Sequence, residues 1–352
     1  CPHIMTPIFS STHLVITCAV LNEAVVLPVF LFFVMECLKY IYHGRIKNLA
    51  GAFLLAMLLA LTRGQMMVAL IAWALVACGR MLYQKKYLGV FLSVLIVAVS
   101  FPVRDVIHKT YNYIVNDAYV GAVCGNVNLV TNILYASDRE AGERIENPEA
   151  QLLFYRIYDA ADEQGLLYRY AGTSLYERAK HLEQSHDVIK FEYILEISNE
   201  YFYENVGTDY LERNIWVDAR CADMVKGLWS RCIGRWIGNY LLLGYNGLCR
   251  SIGIVYPGIS LLMGAILILA IVLVVRCLVQ KRNYKECLMM LLAGILIFGN
   301  AFATSILIMC LSRYMIYGFS FFYIALWLLL KAERHRYLER KEEKNGLQKF
   351  KI

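Results

Sequence analysis

The chain has 352 residues, 59% of them hydrophobic and only 18% charged, and a net charge of +7. That balance excludes a water-soluble globular domain and describes a polytopic membrane protein. The segment 104–250 carries a net −6 and the rest +13, so the basic excess lies in short loops and a tail and gives no ground for nucleic-acid binding.

The chain begins at Cys1, with no initiator Met, no signal peptide and no complete first span, and reads as N-terminally truncated. Residues 1–21 read as the outer end of an earlier helix plus a loop. Apolar runs then predict crossings at about 22–42, 48–62, 65–79 and 87–103, and later at 253–275, 286–310 and 313–331. The second and third are short: about 15 residues reach about 22 Å, against a hydrocarbon core of about 30 Å. They tilt, thin the bilayer or form a re-entrant hairpin, and in each case the chain returns to the side it came from.

Basic residues orient these spans. Arg45 and Lys47 fill one loop, Arg80, Lys85 and Lys86 the next, and Arg276, Lys281, Arg282 and Lys285 a third. The tail, 332–352, adds Arg334, Arg336, Arg340, Lys341, Lys344, Lys349 and Lys351. Alternation puts all four on one face, which the positive-inside rule makes cytoplasmic. The expected fold is an all-α polytopic membrane protein with about seven transmembrane helices. One large, mainly helical extracytoplasmic domain, 104–250, lies between the fourth and fifth. The N-terminal membrane region is then 1–103, the C-terminal one 251–331, and the setting a bacterial cell membrane.

Within the outer segment, 112–135 is rich in β-branched residues, Asn and Gly and predicts turns with short strands. Asn147-Pro148-Glu149 opens a helix with a cap, a first-position proline and a first-turn carboxylate. Further helical patches run through 174–184, 188–204 and 210–226. The stretch 227–250 mixes Trp229, Trp236, Tyr240 and Tyr245 with Arg231, Arg235 and Arg250, and reads as an interfacial helix.

Metal and nucleophile signals are sparse. Cys124, Cys221, Cys232 and Cys249 lack metal-ligand spacing, and no metal site is expected. Cys221 and Cys232 are candidates for a disulfide, and His181 and His186 read as surface residues. Arg63 and Arg313 stand out more. Each interrupts apolar sequence on the same expected side, where a guanidinium is costly unless it snorkels or finds an anion. A phosphate is the natural partner of two such forks. Glu23 opens a span and reads either as a helix cap or as a partner of Arg63 or of a polar substrate group. Asp138 reads as a turn residue, with a sugar-contacting or general-base role as the alternative.

The run Leu21-Asn22-Glu23-Ala24-Val25-Val26-Leu27-Pro28-Val29-Phe30, a basic turn, Gly51-Ala52-Phe53 and then Leu61-Thr62-Arg63-Gly64-Gln65 resembles the middle of GT-C-fold glycosyltransferases of the family 39 type. These include lipid A aminoarabinose transferases and relatives of protein O-mannosyltransferases. Ser312-Arg313-Tyr314 before an aromatic span resembles their late Arg-Tyr turn, and Gly64 departs from a proline usual in the first turn. The resemblance covers about 22–103 and 253–331. It implies a polyprenyl-phosphate sugar donor, its phosphate held by Arg63 and Arg313 and bordered by Tyr314, with membrane lipids around it. A divalent metal ion is an optional cofactor, and the acceptor is an unidentified glycan, lipid or protein. The family's catalytic aspartate belongs to a first outer loop upstream of Cys1, so the catalytic residue is unassigned, with Glu23 and Asp138 as secondary candidates. The implied reaction is inverting displacement at the anomeric carbon. A polysaccharide polymerase or ligase, a lipid or solute transporter, and a non-catalytic membrane protein are the competing readings.

Overall fold

The computed structural model describes residues 22–121, 125–256 and 258–349, apart from the side chains of 22–24, 313 and 340–349. Every regular element among the described residues is helical. The chain divides into two compact units: Cys1–Arg104 with Leu248–Asn300 and Leu311–Ile352, and Asp105–Gly247 with Ala301–Cys310.

Among the described residues six helices are long and apolar enough to cross a membrane: Val25–His43, Gly64–Tyr83, Tyr87–Asn116, Ile259–Val279, Tyr284–Leu307 and Ile316–Glu339. The protein is therefore membrane-embedded. Ile46–Thr62 is equally apolar but has 17 residues, about 25 Å of helix. As full elements these helices are α1 (Asn22–His43), α2 (Ile46–Thr62), α3 (Val68–Tyr83, after a 3-10 turn Gly64–Met67) and α4 (Tyr87–Asn116). The later ones are α10 (Ile259–Val279), α11 (Tyr284–Leu307), a short α12 (Ser312–Met315) and α13 (Phe319–Lys349).

In the first unit α1 and α2 form a tight hairpin. Ala52, Ala56 and Ala60 recur every four residues on α2 and are fully buried, so one face of small side chains lets the backbones approach. Gly44 makes the turn at φ +71°, and a Cβ there would collide with the Arg80 guanidinium. A polar clasp holds the pair: Asn48, 8% exposed, donates from Nδ2 to Glu36 Oε2 at 2.6 Å, and Lys39 donates to Glu36 Oε1 at 2.7 Å. Buried Trp73 of α3 donates its indole N–H to the Leu49 carbonyl at 2.8 Å.

The basic loops gather at one end of this unit. Arg80 donates to the Ile41 carbonyl and lies 5.6 Å over the Tyr40 ring. Tyr83 stacks on Tyr284 with centroids 4.4 Å apart, and Lys285 Nζ lies 5.2 Å from the centre of the Tyr42 ring. Arg282 Nη2 and Asn283 Nδ2 donate to Glu333 at 2.6 and 2.7 Å, tying the α10–α11 turn to α13. With one partner removed, a carboxylate this enclosed would lie among apolar helices without its charge balanced.

The second unit is built around α5 (Gly125–Ala136), whose residues 130–136 are all buried. The strands expected over 112–135 do not form: the end of α4 and α5 occupy that stretch. Apolar side chains all round α5 give no helical stripe, because partners cover it on every side. Those partners include α7 (Leu175–Val188), with buried Leu182, and a π-helical turn, Ile189–Leu195, with buried Ile194; α6 (Pro148–Glu163), with buried Leu153, Phe154 and Ile157, packs on the same π-helical turn. Asn147 caps α6 as expected, its side chain accepting from Glu149 N and Ala150 N. After α8 (Glu196–Asn205), the two patches expected at 210–250 form one helix, α9 (Tyr210–Ile252). Asp218 of α9 takes Asn126 N and Nδ2 at 2.9 and 2.8 Å, and Arg220 pairs with Glu149 at 2.9 Å. Trp229, Trp236 and Tyr240 form a half-buried ladder with centroids 4.9 and 5.3 Å apart, which Phe302 continues at 5.6 Å.

The Glu36–Asn48 clasp is testable. Glu36→Leu or Asn48→Leu alone leaves one polar group in an apolar interface and should lower stability in detergent by about 1 kcal/mol. The double variant should cost less than the sum, and additive losses in a double-mutant cycle would show that the contact carries no coupling.

Candidate functional site

The most distinctive polar constellation of the first unit lies where α2 ends. The helix runs away from the basic loops, so Arg63 stands one helix length, about 25 Å, from them. Arg63 leaves the helix in an extended conformation, φ −148° and ψ 134°. Its N–H still donates to the Leu59 carbonyl at 3.1 Å, while its own carbonyl accepts from Met66 N at 3.0 Å. A single extended residue between two helical turns makes an elbow, and the Arg63 side chain projects from its corner.

Two elements reach this corner. The Tyr314 ring lies under the Arg63 guanidinium, 4.9 Å from its carbon to the ring centre. Tyr314 is held from below by Asn300, 6% exposed, whose Nδ2 donates to the Tyr314 carbonyl at 2.6 Å. From α4, Arg104 Nε donates to the Ala60 carbonyl at 2.8 Å, within the last turn of α2. Arg104 Nη2 would lie 3.9 Å from a Cβ on Gly64. The elbow thus carries two half-buried guanidiniums, that of Arg63 stacked on Tyr314 and that of Arg104 beside Gly64, at the end of an apolar bundle. An aromatic ring attracts the cation stacked on it, and guanidinium forks suit an oxyanion.

Of the residues singled out in sequence, Arg63 and Tyr314 meet here. Arg313 lies in α12, next to Tyr314, and Glu23 in the first described turn of α1; both side chains lie outside the described residues. Arg104 was passed over, although it follows an apolar run just as Arg63 does, and its signal was that boundary position.

Asp138 belongs to the second unit. It precedes the 3-10 turn Arg139–Arg144 without capping it, and its Oδ1 accepts from Arg235 Nη1 at 2.7 Å. Nearby, Arg139 grips Asp159 through Nε and Nη2 at 2.7 and 2.9 Å, which holds the Asp159 carboxyl below its usual range. His186 is buried at 1% exposure, and His181 bridges the Tyr135 hydroxyl, at 2.9 Å, and the Gly165 carbonyl, at 3.0 Å. The surface placement expected for both fails because α7 turns this side toward α5. Burial pushes the Tyr135 phenol far above its usual range. Cys221 and Cys232 are buried free thiols. Eleven residues apart on one continuous helix places them about 16 Å apart, beyond disulfide reach.

Comparison of the chain with protein-family models, curated proteins and solved structures found no match.

The elbow makes one local prediction. Arg63 already has the extended backbone that a following proline imposes, and Gly64 opens a helical turn with only Arg104 near its Cβ position. Gly64→Pro should therefore be tolerated and raise stability by about 0.4–1 kcal/mol. A lowered thermal midpoint in detergent would show that the corner needs glycine's freedom.

Proposed function

We propose that this protein is a membrane glycosyltransferase that moves a sugar from a polyprenyl-phosphate donor to an extracytoplasmic acceptor. The observation that carries the reading is the Arg63 guanidinium stacked on Tyr314, with Arg104 beside the same corner. A bundle of apolar helices takes a hydrocarbon chain, and guanidiniums at its end take the phosphate. The sequence resemblance around 61–65 and 312–314 points to the same ligand. Arg313, whose helix turn adjoins Tyr314, is the third cation assigned to the donor phosphate.

In the proposed reaction the acceptor hydroxyl attacks the anomeric carbon and the bond from that carbon to the donor phosphate oxygen breaks. The hydroxyl proton passes to a carboxylate, and configuration inverts. Negative charge gathers on the leaving polyprenyl phosphate, where the fixed guanidiniums stabilise it without reorganising. Among the described residues no three His, Cys, Asp or Glu side chains converge where a metal could be held. The proposed phosphate site is built from guanidinium and phenol groups. On this reading the basic loops face the cytoplasm, and the elbow and the acidic second unit face outward.

The test is retention and turnover of a radiolabelled polyprenyl-phosphate hexose by the purified chain in liposomes. Arg63→Ala should weaken donor use by about 1.5–3 kcal/mol, the loss of a charged hydrogen bond to an anion. Arg63→Lys should restore only part, because an ammonium keeps the charge and loses the fork. A chain that retains polyprenyl phosphate no better than the uncharged polyprenol would contradict the proposal.

A further inference from the structure

Along the middle of the first unit α3, α10, α11 and α13 do not close on one another. They leave an open groove of about 400 Å³, within the size range of ligand cavities. Its walls are apolar throughout, including Ile271, Val275 and Leu278 of α10 and Leu291, Gly294 and Phe298 of α11. Ile271, Val275 and Leu278 are each about half exposed (50, 51 and 54%), so the groove opens to the outside of the helix bundle. Gly294 is its key: a Cβ there would meet nothing within 4 Å. The groove is thus widest where a side chain has been left out.

A wall without a polar atom to offer excludes sugars and nucleotides and accepts hydrocarbon. The groove's end gives the other half of the ligand. Leu278 lies on its lip, and Arg276 and Lys281 flank that residue, both exposed at the end of α10. Arg276 Nε is 3.6 Å from Glu333, but that carboxylate is engaged more closely by Arg282 at 2.6 Å. Arg276 and Lys281 thus present positive charge at the level where a phospholipid carries its phosphate. We propose that the groove binds an anionic phospholipid of the bilayer, one acyl chain lying along α10 and α11 and the phosphate against Arg276 and Lys281. Its charged lip, at Arg276 and Lys281, lies at the end of α10 among the basic loops rather than at the Arg63 elbow, and the site does not depend on the donor assignment.

The experiment is native mass spectrometry of the purified chain, released from detergent with equal amounts of phosphatidylglycerol and phosphatidylcholine of the same acyl length. The unaltered protein should retain phosphatidylglycerol preferentially. Gly294→Phe fills the groove and should cut retention of both lipids by about tenfold; Gly294→Leu should give a smaller loss if the larger ring disturbs folding. Lys281→Glu should remove the preference by about fivefold or more while leaving phosphatidylcholine retention unchanged. Arg63→Ala should have no effect on either lipid. Equal retention of the two lipids by the unaltered protein, or indifference to groove filling, would overturn the proposal. So would loss of phosphatidylglycerol in Arg63→Ala, which would move the phosphate to the elbow. A dimer that Gly294→Phe splits into monomers would overturn it too, because the groove's occupant would be a second copy.

Discussion

A charge inside a hydrocarbon layer costs several kcal/mol, and an unsatisfied backbone group there costs nearly as much. Both penalties act on the first unit. Its apolar segments are helical because only a helix satisfies its own N–H and C=O groups locally. Its charges are driven to the helix ends, where they organise everything else. At one end Arg80, Arg282 and Lys285 are laid onto tyrosines or clasped by Glu333. At the other, Arg63 is laid onto Tyr314. A planar guanidinium on an aromatic face is attracted electrostatically by the ring.

The exceptions to this sorting are informative. Glu36 of α1 and Asn48, in the first turn of α2, are polar groups that meet across the tightest hairpin of the unit. Such a contact favours one register of α1 against α2, because sliding either helix by one residue would strand the buried Asn48 amide. Asn300 does the same for the turn that carries Tyr314, exchanging a buried amide for the one carbonyl that positions the ring. The aromatic floor beneath Arg63 is thus fixed by a hydrogen bond rather than by packing alone. The proposed phosphate site draws on that rigidity.

Much of this was legible in the sequence, for identifiable reasons. Spans announce themselves by apolar runs, and the helix start at Asn147-Pro148-Glu149 by its capping chemistry, because both signals are local. The stretch 112–135 reads as turns with short strands because the largely buried helix 125–136 shows no clean stripe, and its Val, Ile and Thr residues favour the other reading. His186 was misplaced for a related reason: polar neighbours in sequence say little about which side of α7 meets α5. The contact of Arg63 with Tyr314 joins residues far apart in the chain. The resemblance suggested a shared role, but spacing alone gave no distance. Arg104 was hidden by where the span was taken to end, since α4 continues to Asn116.

The central claim is that the basic turns and the arginine elbow lie on opposite faces of a membrane. Single cysteines placed at Gln84 and Lys281, and separately at Gln65, in a background with the native thiols replaced, can be probed in sealed vesicles with a membrane-impermeant maleimide. The account predicts that the first two positions label from one face and Gln65 only from the other. Labelling of all three from the same face would contradict it.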